Sequence, residues 1–218
     1  MIPASLQAKI DGSDYILGSD ECGYGSWAGP LTVCAVVASK NWTPPDGVKD
    51  SKALTPASRE RVYEALITKT IYCMLTVSAE EIDRRGVGVV LLEAHAKAIQ
   101  GAYQAHKDLG VVGKTLVIVD GNLSIPGTIA LPKADALIPA VSAASIIGKV
   151  SRDRHMAEMD VRYPGYGFKT NCGYGTQEHQ AALKRLGICA IHRKSYAPIA
   201  ALLPTDEPRE AWFGLDDE

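Results

Sequence analysis

Asp20 and Glu21 are adjacent carboxylates that end the apolar run beginning at Tyr15. They stand directly before the glycine-rich stretch Cys22-Gly23-Tyr24-Gly25-Ser26-Trp27-Ala28-Gly29-Pro30. Carboxylate oxygens are the ligands that hard divalent cations take, and small residues let a phosphate backbone come close to the main chain. Two further isolated acids, Asp120 and Asp135, follow apolar segments later in the chain. Gathered at one sheet edge, four such acids would suit phosphodiester hydrolysis. Water attacks phosphorus in line while charge grows on the non-bridging and leaving oxygens, and two Mg²⁺ or Mn²⁺ ions about 4 Å apart can serve both ends. Without a cation, converging carboxylates would repel one another and raise at least one pKa. For Asp120 or Asp135 taken singly, a helix cap or turn residue is the plainer reading.

Those acids need strands to carry them. Tyr15 to Asp20 reads as a short strand and Leu31 to Ala38 as a valine-rich second one, reached through the glycine turn as a hairpin. The two prolines and the glycine of residues 41–50 make a loop, after which Thr55-Pro56 opens a helix to about Thr68. Ile71 to Val77 is a further strand. Ser78 followed by Glu80 and Glu81 is a helix cap with acids in the first turn, and Val89 to Lys107 forms a longer alanine-rich helix. Leu116 to Val119 is unbroken and apolar, which predicts a buried strand, and Thr128 to Leu131 continues the sheet. Ala140 to Met159 has helical spacing, with Ala140, Ser142, Ala143, Ala144, Ser145 and Gly148 small enough to let the helix lie close to the sheet and the acids. Tyr163 to Thr176 is a Gly/Tyr-rich ordered loop, and Gln177 to Leu186 a last helix ended by Gly187. The order predicts an α/β protein with a mixed sheet.

A chain of 218 residues, 46% hydrophobic, is long enough for one substantial core. Its apolar stretches are interrupted too soon for a membrane span, and the start lacks the pattern of a secretory signal, so a cytoplasmic protein is expected. The five cysteines form no CxxC pair and their odd number leaves free thiols. Asn122-Leu123-Ser124 matches a glycosylation acceptor that such a compartment leaves idle. The net charge of −2 argues against an indiscriminate nucleic-acid coat protein. The charge is unevenly spread, however. Six acids and one arginine in residues 201–218 give that segment −5, so the preceding 200 carry +3 by difference. Basic residues gather at Lys149, Arg152 and Arg154 and again at Lys184, Arg185, Arg193 and Lys194, which permits a modest phosphate-binding face.

Six ordered motifs now stand together: the Asp20-Glu21 pair with Gly23, Gly25 and Ala28-Gly29-Pro30; Asp50-Ser51-Lys52 with Leu54; Asp120-Gly121; Asp135 ahead of Ala143, Ala144, Ser145, Ile146, Ile147, Lys149, Val150, Arg152 and Asp153; Gly173, Tyr174 and Thr176 followed by His179; and His192, Arg193, Ser195 and Tyr196. In these the chain resembles the ribonuclease HII, or type 2 ribonuclease H, family. The resemblance implies a ribonuclease H-like fold, a central mixed β-sheet flanked by helices. It implies an endonuclease that cuts the RNA strand of RNA/DNA hybrids and incises 5′ to a single ribonucleotide in duplex DNA, leaving 5′-phosphate and 3′-hydroxyl ends. Asp20, Glu21, Asp120 and Asp135 would hold two Mg²⁺ or Mn²⁺ ions. Gly23, Tyr24 and Gly25 would read the ribose 2′-hydroxyl through main-chain groups, and Tyr174 would stack on the sugar at the RNA-DNA junction. Ser51, Lys52, Ser145, Lys149 and Arg193 would join them in binding substrate.

Tyr24 stands where the family has arginine and Cys172 where it has lysine, so phosphate affinity falls while both glycines remain for main-chain recognition. The expected organisation is a catalytic domain over residues 1–199, including a small C-terminal helical substrate-binding region, followed by an acidic tail over 200–218. A monomer is expected, whose tail aromatics, Trp212 and Phe213, serve as a packing latch or a partner-binding peptide. Two other classes stay open: a transposase- or resolvase-type nuclease acting on DNA, and a noncatalytic hybrid-binding module.

Overall fold

Alternation along one strand decides where the chemistry goes. In β1 (Tyr15–Cys22), successive side chains point to opposite faces of the sheet. Gly18 and Asp20 face α5 (Pro139–Arg162): a Cβ on Gly18 would lie 2.3 Å from the Val141 amide nitrogen, and Asp20 accepts a hydrogen bond from Ser145. Ser19 and Glu21 face α4 (Val87–Asp108), where both meet His95. The adjacent carboxylates therefore project to opposite sides of the same strand end.

The computed structural model describes residues 2–48 and 54–204. Asp50, Ser51 and Lys52 of the expected substrate motif lie outside the described residues, as does the tail from 205 onward. The described elements continue with α1 (Ala4–Asp11), β2 (Leu31–Ser39), α2 (Pro56–Lys69), β3 (Ile71–Val77), α3 (Ala79–Arg85), β4 (Thr115–Asp120), β5 (Ile129–Leu131), α6 (Phe168–Asn171), α7 (Gln177–Leu186) and α8 (Ala197–Ala200). They fall into two compact units, one of residues 1–22, 32–75 and 92–150 and the other of 23–31, 76–91 and 151–218.

The first unit holds a mixed five-stranded sheet in the order β3-β2-β1-β4-β5. β1 and β2 pair antiparallel, as a hairpin requires, while β1 with β4 and β4 with β5 run parallel. One core forms where Cys34 and Val36 of β2 meet Val62 and Leu66 of α2 and Ala143, Ala144, Ile146, Ile147 and Val150 of α5. A second joins Leu6 of α1 to Ile16, Ile118, Ala140 and Val141. The close approach of α5 needs small residues on both partners, and Gly18 is the strand's half of that fit.

In the second unit Met156, Tyr166, Phe168, Ala182, Leu183 and Ile199 pack around Ala28. Helix starts follow their caps: Thr55, Ser78 and Thr176 accept from the amides of Ser58, Glu81 and His179 at 3.2, 3.1 and 3.2 Å.

The structure departs from the sequence reading in places. Residues 163–176 are not all loop, because α6 forms a single turn between left-handed Gly167 and Cys172. α1 and α8 were not legible: both are short, each with one buried residue, Leu6 and Ile199. β4 is buried only at Ile118 and Val119, since its neighbour β5 is three residues long and leaves its flank open. All five cysteines are free thiols. Among the described residues no helix is long and apolar enough to cross a membrane.

Candidate active site

The parallel ladder between β1 and β4 ends with Ser19 opposite Val119, so Asp20 and Asp120 are the next residues at the same end of two adjacent strands. The Asp120 carboxylate accepts from the Ala134 amide at 2.6 Å. Ala134 begins the 3₁₀ turn Ala134–Ala136, which carries buried Asp135, and left-handed Lys133 (φ 60°) sets the turn's direction. The Ser142 hydroxyl donates to the Asp135 carbonyl and fixes the turn to the start of α5. Strand pairing thus brings two acids together, and a backbone hydrogen bond brings the third.

Electrostatics report the convergence. Burial pushes Asp20 up to about 7, the charges of Glu21 and Asp120 push the same way, and the Ser145 hydroxyl offsets part of the rise. Asp120 is raised by burial, then by Asp135, with Glu21 adding to it, while the Ala134 and Asp135 amides oppose the shift. Each of the four acids therefore feels at least one of the others. Glu21 reaches the buried His95 Nε2 at 3.3 Å, and His95 Nδ1 lies 2.9 Å from the Ser19 hydroxyl. That hydroxyl donates to the Cys34 carbonyl at 3.1 Å, so its remaining capacity toward the ring is that of an acceptor. Nδ1 then carries a proton, and Nε2 donates to Glu21 only when it is protonated as well.

Four carboxylates with hard oxygen donors, Asp20 and Asp120 among them raised by burial and by neighbouring acids, fit a divalent cation. They do not close on one point: among the described residues no three His, Cys, Asp or Glu side chains form a ready-made ligand group. Ser145 and Lys149 stand one turn apart on α5, hence on one face, with Ser145 on the Asp20 carboxylate.

The glycine turn belongs to the second unit, and its carbonyls are held by two buried arginines. Arg152 donates to the carbonyls of Pro30 (2.8 Å), Ala28 (3.3 Å) and Cys172 (3.0 Å) and to the Ser26 hydroxyl (2.8 Å). Arg193 donates to the carbonyls of Gly29 (3.0 Å) and Tyr24 (2.8 Å). Gly23, at φ +88°, has no room for a side chain, since a Cβ would lie 2.2 Å from Arg152 Nε. Gly25 faces open space and the Tyr24 ring is exposed. The ring of Tyr174 is 37% exposed and lies 5.6 Å from the Arg152 guanidinium carbon, a cation-π contact that presents one of its faces to the charge. Arg193, of the expected substrate-binding set, is fully buried and holds the turn at Gly29 and Tyr24, and its Nη1 also donates to the Tyr196 hydroxyl at 2.9 Å.

Sequence reasoning missed His95 and the clamping role of Arg152. His95 is a lone histidine among Leu91, Ala94 and Ala98 on an apolar helix face, and spacing gives no sign of its carboxylate partner. Arg152 was visible as a member of a basic cluster and of the motif after Asp135, neither of which pointed to the glycine turn.

A family model described as Ribonuclease HII matches residues 17–199. A curated ribonuclease HII of Hyphomonas neptunium is 40% identical over 200 residues, covering 86% of this chain and 96% of that protein. Among solved structures, the ribonuclease H2 of Pyrococcus horikoshii OT3 superposes with a TM-score of 0.70 at 28% identity, covering 91% of this chain and 98% of the other. The ribonuclease HII of Archaeoglobus fulgidus, solved in complex with PCNA, gives 0.67 at 28% identity, covering 83% and 94%.

Proposed function

The chain belongs to the ribonuclease HII family and has its ribonuclease H-like fold, and from that premise we propose that it is a metal-dependent endonuclease acting on the RNA strand of RNA/DNA hybrids and 5′ to single ribonucleotides in duplex DNA. The observation that carries the reading is the convergence of Asp20 and Asp120 at the same end of the paired strands β1 and β4, where the 3₁₀ turn adds Asp135 beside Asp120. Asp20, Glu21, Asp120 and Asp135 would hold Mg²⁺ or Mn²⁺. When bound, the metal supplies a nucleophile at neutral pH and neutralises charge growing on the phosphate.

The protein's own groups have separate tasks. Ser145 orients the Asp20 carboxylate, and the Ala134 amide orients that of Asp120. His95 stands behind Glu21 from α4, and the ring's contact with Ser19 keeps it from swinging. Arg152 and Arg193 draw the carbonyls of the 24–30 turn inward, which supports main-chain recognition of a 2′-hydroxyl by Gly23, Tyr24 and Gly25. An exposed Tyr174 ring suits stacking on a sugar. Lys149, and Ser51 and Lys52 outside the described residues, would add phosphate contacts. Products would carry 5′-phosphate and 3′-hydroxyl ends, and a cytoplasmic monomer is part of the same proposal.

The test compares a continuous RNA/DNA hybrid with all-DNA and all-RNA duplexes of the same sequence in Mg²⁺ and in Mn²⁺. Cutting of the RNA strand of the hybrid alone is expected. Equal cutting of the all-DNA duplex would favour a DNA nuclease, and binding without cutting a hybrid-binding module.

A further inference from the structure

The second unit buries two histidines against each other. His179 of α7 and His192 are both buried, with their Nε2 atoms 3.0 Å apart. Such a contact between neutral rings needs one proton donor and one lone pair, so the partners of the other nitrogens decide the arrangement. The Cys189 amide donates to His192 Nδ1 at 2.8 Å, which requires a lone pair there. The Cys189 carbonyl, 3.2 Å from the same nitrogen, already receives the His192 amide at 3.1 Å and needs no further donor. His192 therefore carries its proton on Nε2 and donates to His179 Nε2. That leaves the His179 proton on Nδ1, which donates to the Tyr174 carbonyl at 3.0 Å.

The sequence of bonds runs one way, from the Cys189 amide through both rings to the residue whose side chain is offered as the substrate platform. The Tyr174 carbonyl also accepts from the Thr176 amide at 2.8 Å, and the Tyr174 amide donates to Asn171 at 2.9 Å. Around the rings stand Tyr166 and Phe168, which stack at 5.1 Å, and Trp27, 6.1 Å from the His179 ring. Burial lowers the basicity of both histidines, His192 to about 4, and the Glu178 charge acts on His179 in the opposite sense. Burial thus favours the neutral rings that the relay requires.

We infer that His179 and His192 are positioning residues that fix Tyr174 through a single-direction, fixed-tautomer relay. The inference rests on the reading of Tyr174 as the platform only for its effect on cleavage. The relay itself is testable without substrate.

Imidazole nitrogen NMR of the full chain reads the tautomers directly: His179 protonated on Nδ1 and His192 on Nε2 are expected, and the reverse arrangement, or a protonated ring at pH 7, would overturn the relay. Positioning is read with His179→Asn and His179→Leu, which are nearly isosteric and leave the same cavity. Only Asn keeps a donor where Nδ1 stands. The Tyr174 ring resonances should stay sharp and near wild-type in the Asn variant and shift or broaden in the Leu variant. Cleavage of a single-ribonucleotide duplex should be about tenfold lower for Leu than for Asn, the scale of one hydrogen bond lost at a positioned group. Equal ring signals in the two variants would overturn the positioning role. If the NMR results hold while Tyr174→Ala cleaves like wild type, the platform reading fails and the relay stands.

Discussion

At the scale of single residues, Asp20 couples chemistry to stability. Its folded-state pKa of about 7 against an ordinary 3.8 means that the folded protein holds a proton that the unfolded chain releases. Stability therefore falls as pH rises from about 4 to about 7 in the absence of metal, where the folded state binds more protons. Asp20→Asn removes that liability. In EDTA the variant should melt above wild type at pH 8 and lose the advantage at pH 4, whereas an equal shift at both pH values would refute the assignment. Saturating Mg²⁺ should raise the melting temperature of wild type and leave that of Asp20→Asn nearly unchanged, because Asn keeps the shape but not the charge. The same substitution, or Asp120→Asn, should cut turnover on the order of 10³-fold with hybrid affinity retained. Tyr174→Ala should lose more activity on a single-ribonucleotide duplex than on a continuous hybrid, which offers other positions to cut. Equal losses on both substrates, with a lower melting temperature, would make Tyr174 a packing residue.

At the scale of elements, the tightest fit is between β1 and α5. A methyl group on Gly18 would meet the backbone of Val141 and Ala140 at 2.3 and 2.5 Å, and backbone cannot yield as a side-chain tip does. Gly18→Ala should cost about 3 kcal/mol in urea unfolding, while Gly25→Ala, which meets nothing within 4 Å, should be nearly neutral in stability. A fully stable Gly18→Ala protein would show that the helix can retreat from the strand. These elements were largely legible beforehand. Valine-rich β2, the starts of α2 and α3, the glycine end of α7 and the small-residue face of α5 announce themselves by local pattern. So did the acids, because each follows an apolar run. What pattern could not reveal was made by contacts between residues far apart in sequence: His95 behind Glu21, 74 residues away, and Arg152 on the carbonyl of Pro30, 122 residues away. The bonds from Arg193 to carbonyls 164 and 169 residues earlier are of the same long-range kind.

At the scale of the whole molecule, charge is set against function. A chain of net charge −2 that is to bind a polyanion does better with its negative charge gathered at one end, and residues 201–218 carry −5 of it. Removing residues 204–218 should leave cooperative unfolding intact and give equal or slightly tighter hybrid binding at low salt, with the difference vanishing at high salt. A truncated protein that is soluble but neither unfolds cooperatively nor cleaves would make the tail part of the core. All of this depends on the four acids forming a centre that hydrolyses next to a ribose. The most direct measurement maps the cut in a DNA duplex containing one ribonucleotide, with Mg²⁺ and with EDTA, and identifies the ends. Incision only with the metal, on the 5′ side of the ribonucleotide, leaving 3′-hydroxyl and 5′-phosphate ends, is the result expected. Incision that persists in EDTA, or cuts that ignore the ribonucleotide, would contradict it.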